Sequence, residues 1–218
     1  MMTYIGCMLI FFGIQMSSVH VMYADSWEEI RQATADMQSI RAEFVQEKHM
    51  KILKKPIQAT GTFFYKQPHS LRWEYSHPIQ SILLMHNGTI KRYIFNKDKG
   101  WIADTSPNLM NIQIAIQQMT EWMNGRMVQG SAFIPEFTDD RKLILRPKEK
   151  AMTLFIEKIE LAFSKQDGIM DSVTIFENND SYTKINYLNT KLNSVLPESL
   201  FTDIAYEAVS SNPVHTPK

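Results

Sequence analysis

Between Glu43 and Asp104 the chain is cut by turn residues into short apolar runs, joined by connections far too short to return it for parallel pairing. The runs are Glu43 to Leu53, Thr60 to Gln67, Leu71 to His77, Ser81 to His86, Thr89 to Asn96 and Trp101 to Asp104. Lys55-Pro56, Pro68-His69-Ser70, Pro78, Asn87-Gly88 and Asp98-Lys99-Gly100 separate them, and Asn-Gly between two apolar runs is the strongest short hairpin signal a sequence offers. A parallel crossover needs about a dozen residues, so this half of the chain is an antiparallel meander. The pattern resumes at Lys142 to Arg146, Glu157 to Phe163, Ile169 to Glu177 and Ser181 to Leu188, with turns at Gln166-Asp167-Gly168 and Asn178-Asn179-Asp180. The expected fold class is mostly β, of the α+β kind.

The strands do not alternate cleanly between apolar and polar. Phe63, Phe64 and Tyr65 are consecutive, as are Ile82, Leu83, Leu84 and Met85, so both faces of the sheet need covering. One cover is expected at the amino-terminal end. Ser26-Trp27-Glu28-Glu29 has the form of a capping box, and Trp27, Ile30, Ala33, Met37, Ile40 and Phe44 follow at steps of three and four, which predicts an amphipathic helix from Ser26 through Phe44.

A second cover is expected between the two sets of strands. Ser106-Pro107 supplies an N-cap and a proline at the first helical position, and Gly125 a stop, so Pro107 to Asn124 reads as a helix. No charge occurs from Thr105 to Thr120, and Leu109, Met110, Ile112, Ile114, Ile116, Met119, Trp122 and Met123 are spread around most of its circumference. Four of the nine methionines beyond residue 24 fall between Met110 and Met127, and methionine suits apolar surfaces that adapt to variable partners. Two readings stay open here: a helix buried in an ordinary core, or a movable lid over an apolar cavity.

The charges are distributed as in an exported chain. The first 24 residues carry no Asp, Glu, Lys or Arg, and an apolar run from Ile5 to Ile14 is followed by small and polar residues and then Ala24. Residues 1–24 are expected to be a signal peptide cut after Ala24, with residues 25–205 as the working domain and 206–218 as a flexible tail. Met22 and the absence of a basic residue leave the alternative of a retained amino-terminal anchor. Cys7 lacks the Leu-rich box of a lipidation site, so the exported chain would have no cysteine, no disulfide and no thiol chemistry.

Catalytic patterns are missing. No glycine run cradles phosphate, no Gly-x-Ser-x-Gly elbow occurs, and no His-x-x-x-His pair exists; His69, His77 and His86 sit near strand ends as turn or rim residues. Asp139-Asp140 and Glu28-Glu29 read as solvated surface. Lys48, Lys51, Lys54 and Lys55 form a basic cluster that is either a solvated edge or a contact for anionic headgroups or an acidic partner. The 23 basic and 23 acidic residues cancel, which argues against nucleic acid as a partner. No metal, cofactor or enzymatic activity is expected.

Several local sequences, in order, resemble the LolA family of periplasmic carriers of outer-membrane lipoproteins. They are Phe44-Val45-Gln46, Gly61-Thr62-Phe63-Phe64-Tyr65-Lys66-Gln67-Pro68, Leu71-Arg72-Trp73-Glu74-Tyr75 with Pro78, the Asn87-Gly88 hairpin with Tyr93, Leu145-Arg146-Pro147, Leu192-Asn193 and Leu200-Phe201. The similarity runs over roughly residues 26 to 204. It implies an incomplete antiparallel β-barrel, with an amino-terminal covering helix and lid helices over an apolar cavity that takes acyl chains. It also implies, as partners, an inner-membrane lipoprotein-releasing transporter and an outer-membrane acceptor lipoprotein. Phe63, Tyr65, Trp73, Tyr75 and Leu84 are the expected strand contributions to the cavity, and Met110, Ile112, Ile116, Met119, Trp122 and Met123 the expected lid contributions. Where the family commonly has Lys-Arg-Pro, with the arginine latching the lid, this chain has Lys66-Gln67-Pro68. The expectation is a monomeric lipid carrier; the alternatives are a carrier of another lipid or lipid-linked product, and a periplasmic lipoprotein-sensing regulator on the same fold.

Overall fold

The computed structural model describes residues 21–105, 132–138, 140–165, 169–178 and 180–205. The expected helix over Pro107 to Asn124 and the tail from residue 206 lie outside them.

Helix α1 (Val21–Ala35) leads into β1 (Ser39–His49), and a meander follows through β2 (Ile57–Lys66), β3 (Ser70–His77), β4 (Ser81–His86), β5 (Thr89–Asn96) and β6 (Gly100–Ala103). A second meander comprises β7 (Phe133–Thr138), β8 (Lys142–Pro147), the short α2 (Lys150–Thr153), β9 (Ile156–Phe163), β10 (Met170–Glu177) and β11 (Ser181–Leu192); α3 (Ser199–Thr202) ends the described chain. All eleven strands form one sheet in the order β6-β5-β4-β3-β2-β1-β11-β10-β9-β8-β7, and every neighbouring pair is antiparallel. The two ends do not meet, so the sheet is an unclosed barrel. A sheet this wide curls because strand twist accumulates across it.

The amino-terminal cover differs from its sequence expectation in two ways. The helix is already formed at Val21, so Ser26 lies inside it instead of capping it, and it ends at Ala35 instead of running to Phe44. Met37, Ile40 and Phe44 fit the helical period, but Ile40, Ala42 and Phe44 equally fit a strand, and hydrogen bonds to both β2 and β11 decide for the strand. β7 carries no sequence prediction because Pro135 interrupts it; as the edge of the sheet it needs fewer backbone donors.

α1 lies on the inner face. Its Ile30 packs with Phe133, Leu143, Leu145, Ile159, Leu161, Phe163 and Val173 of the second meander, while Met37, just past its end, packs with Phe44, Phe63, Tyr65, Leu71, Leu83 and Met85 of the first. The helix segment therefore bridges both halves of the curved sheet.

The outer face of the first meander is closed by the chain after β11. Phe64 packs with Leu196, Leu200 and Phe201. Arg72, only 1% exposed, donates from Nη1 to the carbonyls of Leu200 (3.2 Å) and Asp203 (2.8 Å), from Nη2 to that of Ile204 (3.4 Å), and from Nε to the Glu74 carboxylate (2.8 Å). A buried guanidinium is tolerable only with such partners. Lys66 Nζ donates to the Leu196 carbonyl (3.1 Å), and the Glu198 carboxylate meets His86 Nε2 at 3.1 Å. At the Asn87-Gly88 turn both residues have positive φ, as a two-residue hairpin of the expected type requires.

Candidate functional site

Alternation on three neighbouring strands builds an aromatic surface on the inner face. Ile40, Ala42 and Phe44 of β1, Gly61, Phe63 and Tyr65 of β2, and Leu71, Trp73 and Tyr75 of β3 all point inward, with Phe44 opposite Gly61, Phe63 opposite Trp73 and Tyr65 opposite Leu71. Phe44 meets Trp73 and Tyr75 edge-on at 5.4 and 5.1 Å between ring centres, Phe63 meets Trp73 at 5.3 Å, and Trp73 stacks on Tyr75 at 6.3 Å. Tyr187 of β11 joins from across β1, opposite Phe44 and 5.9 Å from Phe63. Edge-to-face contacts at these distances let each ring edge meet a neighbour's π face.

Gly61 makes the arrangement possible. A Cβ there would stand 2.8 Å from Phe44 Cζ and 1.9 Å from the Glu74 carbonyl oxygen, so only a residue without a side chain lets the ring and the β3 backbone approach this closely.

Polar groups at this face are few, and the only ion pair described among them is Arg92 with Asp104. The Tyr75 hydroxyl donates to Gln46 Oε1 at 2.9 Å, and burial pushes its phenol up to about 12 against the opposing pull of Arg92. Burial, reinforced by Tyr75, also raises the Tyr187 phenol well above its ordinary value. Trp73 Nε1 is buried and makes no hydrogen bond of good geometry among the described residues; the Tyr75 hydroxyl, which donates its own proton to Gln46, feels this N–H. Arg92, inward-facing opposite Leu83, pairs with Asp104 at 3.2 Å. Among the described residues no three or more His, Cys, Asp or Glu side chains gather as a metal site would require, and no helix is long and apolar enough to cross a membrane. Such a surface can bury hydrocarbon, at ~0.8 kcal/mol per CH₂, and offers one spare N–H donor.

The structure brings together Phe63, Tyr65, Trp73 and Tyr75. Tyr65, Phe44 and Phe63 are all buried, and the Tyr65 hydroxyl donates to the Pro68 carbonyl (3.3 Å), so these three rings form the wall behind the half-buried Trp73, Tyr75 and Tyr187. Leu84 corrects the sequence expectation. It stands opposite Arg72 on the outer face, because Leu83 and Met85 take the inward positions of β4. Four consecutive apolar residues give no parity, and only the register settles which two point inward. Met110, Ile112, Ile116, Met119, Trp122 and Met123 lie outside the described residues. Gln67 Nε2 reaches the carbonyl of Ala35, the last residue of α1, at 3.4 Å, and the Gln67 backbone N–H donates to Gln38 (2.9 Å). Phe44 and Tyr187 are site residues that the sequence reading did not select; the alternations Ile40-Ala42-Phe44 and Ile185-Tyr187 are the signals that mark them.

Residues 35–203 match the family model described as outer membrane lipoprotein carrier protein LolA, which is well over half of the chain. The chain belongs to the LolA family. No curated protein matches it in sequence. Its fold is similar to that of a LolA superfamily protein from Nitrosomonas europaea (11% identity, TM-score 0.40) and of a putative outer-membrane lipoprotein-sorting protein domain from Vibrio parahaemolyticus (10%, 0.41), each alignment covering 82% of this chain and 96% of the other. It is also similar to a chain in the MucA/MucB complex of Pseudomonas aeruginosa (9%, 0.38), with 82% of this LolA-family chain and 59% of that chain covered. At these identities and scores, membership rests on the family match alone.

Proposed function

We propose that this LolA-family chain is a periplasmic carrier that lays the acyl chains of lipoproteins against its aromatic inner face and conveys them from inner to outer membrane without chemistry. The observation that carries this reading is the cluster of Phe44, Phe63, Trp73, Tyr75 and Tyr187 on the inner face of a sheet whose ends do not meet. A closed, fully packed barrel would have no use for a buried indole N–H lacking an acceptor, whereas the carbonyl of an ester or amide beside an acyl chain would satisfy it. The same surface accepts other lipid-linked cargo, so lipoprotein is the reading drawn from the family match. Cargo would come from an inner-membrane releasing transporter and pass to an outer-membrane acceptor.

Energetics suit a carrier. Acyl chains leave water at ~0.8 kcal/mol per CH₂, so release needs another apolar site as competitor, not water. Titration of the protein with a fluorescent fatty acid, competed by a diacylated lipopeptide, tests the reading: saturable uptake with quenching of Trp73 fluorescence is expected. No uptake, or uptake that Trp73→Ala leaves unchanged, overturns it.

A further inference from the structure

We propose that the rim formed by the turns β1–β2, β3–β4, β5–β6, β8–β9 and β10–β11 is a docking surface for anionic lipid bilayers. Antiparallel order places all five turns at one end of the sheet. Two independent features coincide there.

The first is exposed apolar side chains at the turn tips. Ile52 (86% exposed) and Leu53 crown β1–β2, Ile79 (64%) crowns β3–β4, and Leu154 (68%) with Phe155 (73%) crown the connection that contains α2. Asn178 of the β10–β11 turn donates from its amide to the carbonyls of both Thr153 and Leu154 at 2.7 Å, which fixes the Leu154-Phe155 tip against its neighbour. Single exposed apolar residues are ordinary, but several on turn tips along one rim are what enters the headgroup boundary of a bilayer.

The second feature is charge. The five turns hold Lys51, Lys54, Lys55, Lys97, Lys99, Lys148 and Lys150 against Asp98, Glu149 and Asp180, in a chain whose basic and acidic residues cancel as a whole. Lys51 pairs with Asp180 at 2.7 Å, while Lys54, Lys55, Lys97 and Lys99 stand exposed around the apolar tips. Lysines flanking apolar tips complement an anionic lipid surface, where each contributes independently. An acidic protein partner would satisfy the lysines but would leave no reason for apolar tips on separate turns, so the bilayer is the better fit.

Tyr75 lies two residues from the end of β3 on this side, so the rim adjoins the aromatic surface. Docking here would bring that surface to the membrane from which cargo leaves or to which it goes. The inference concerns the rim, and it stands whether or not the inner face carries lipoprotein.

Sedimentation of the protein with vesicles of phosphatidylcholine alone, or with a third phosphatidylglycerol, tests it. The expected result is at least about tenfold stronger association with the anionic vesicles, weakening as salt rises. The pair Lys54→Glu and Lys55→Glu should abolish that difference, and the pair Ile79→Ser and Phe155→Ser should lower association by about tenfold, while fluorescent fatty-acid uptake stays unchanged in both. Absence of an anionic preference, or a preference that survives both pairs, overturns the proposal. Loss of fatty-acid uptake in the wild-type protein strikes the carrier reading and leaves this one untouched.

Discussion

Phe44 stands across the β1–β2 ladder from Gly61, and its ring fills the space a side chain at Gly61 would need. The aromatic surface is thus organised around a residue with no side chain. Trp73 and Tyr75 close on Phe44 from β3 because the backbone of that strand also crowds Gly61 through Glu74.

Gly61→Ala should therefore destabilise the protein by about 3 kcal/mol or more, since the nearest obstacle is rigid backbone. Gly88→Ala provides the contrast: open space surrounds it, and only its positive φ is penalised, at roughly 1–2 kcal/mol. Urea unfolding of the two variants measures the difference, and equal losses would contradict the crowding at Gly61.

Arg72→Ala should release the segment 196–204 from the outer face, leaving three carbonyls without their donor at a cost of about 3–5 kcal/mol. Amide exchange across Leu196 to Ile204 should accelerate before exchange in β1 does. Uniform acceleration would mean that the segment is no separate cover.

Stability should fall in alkali. The folded protein holds the Tyr75 proton more tightly than the unfolded chain does, so this contribution is fully present below pH 10 and is lost as pH rises from 10 toward 12, by an amount on the order of 2 kcal/mol. Tyr75→Phe should flatten the decline relative to the wild-type protein. Chemical-denaturation midpoints read between pH 8 and 12 check it, lysine titration being common to both proteins.

Gln67→Arg should tighten the junction between the β2–β3 turn and α1. The present amide bond to the Ala35 carbonyl is long, at 3.4 Å, whereas a charge-assisted bond contributes roughly 1.5–3 kcal/mol against about 1 for a neutral one. Slower amide exchange in the last turn of α1 and slower uptake of a fluorescent lipid are expected. If neither changes, this position holds nothing shut.

Much of the sheet was legible because turn chemistry is local. Pro78, Asn87-Gly88 and Asp98-Lys99-Gly100 gave β4 and β5 their observed ends and β6 to within one residue. What stayed hidden depends on partners distant in sequence. The end of α1 is set by Ser39 to Phe44 pairing on both sides, and Leu84 faces outward because of its register with Arg72. The Arg72 clamp joins strand and segment far apart in the chain, and no spacing within either announces it. Within the site, consecutive aromatics promised an apolar surface; which rings share it followed from pairing alone.

The first and last strands of the sheet in sequence, β1 and β11, lie side by side at its centre, with Ile40 against Leu192. A chain emerging amino-terminus first, from a ribosome or through a membrane pore, can form each meander alone but cannot join them until β11 is out. The central seam is the step of greatest sequence separation, and such pairings are the slowest to form. Until it forms, β1 presents an unpaired edge, which makes the arrival of β11 the event that licenses joining of the two halves.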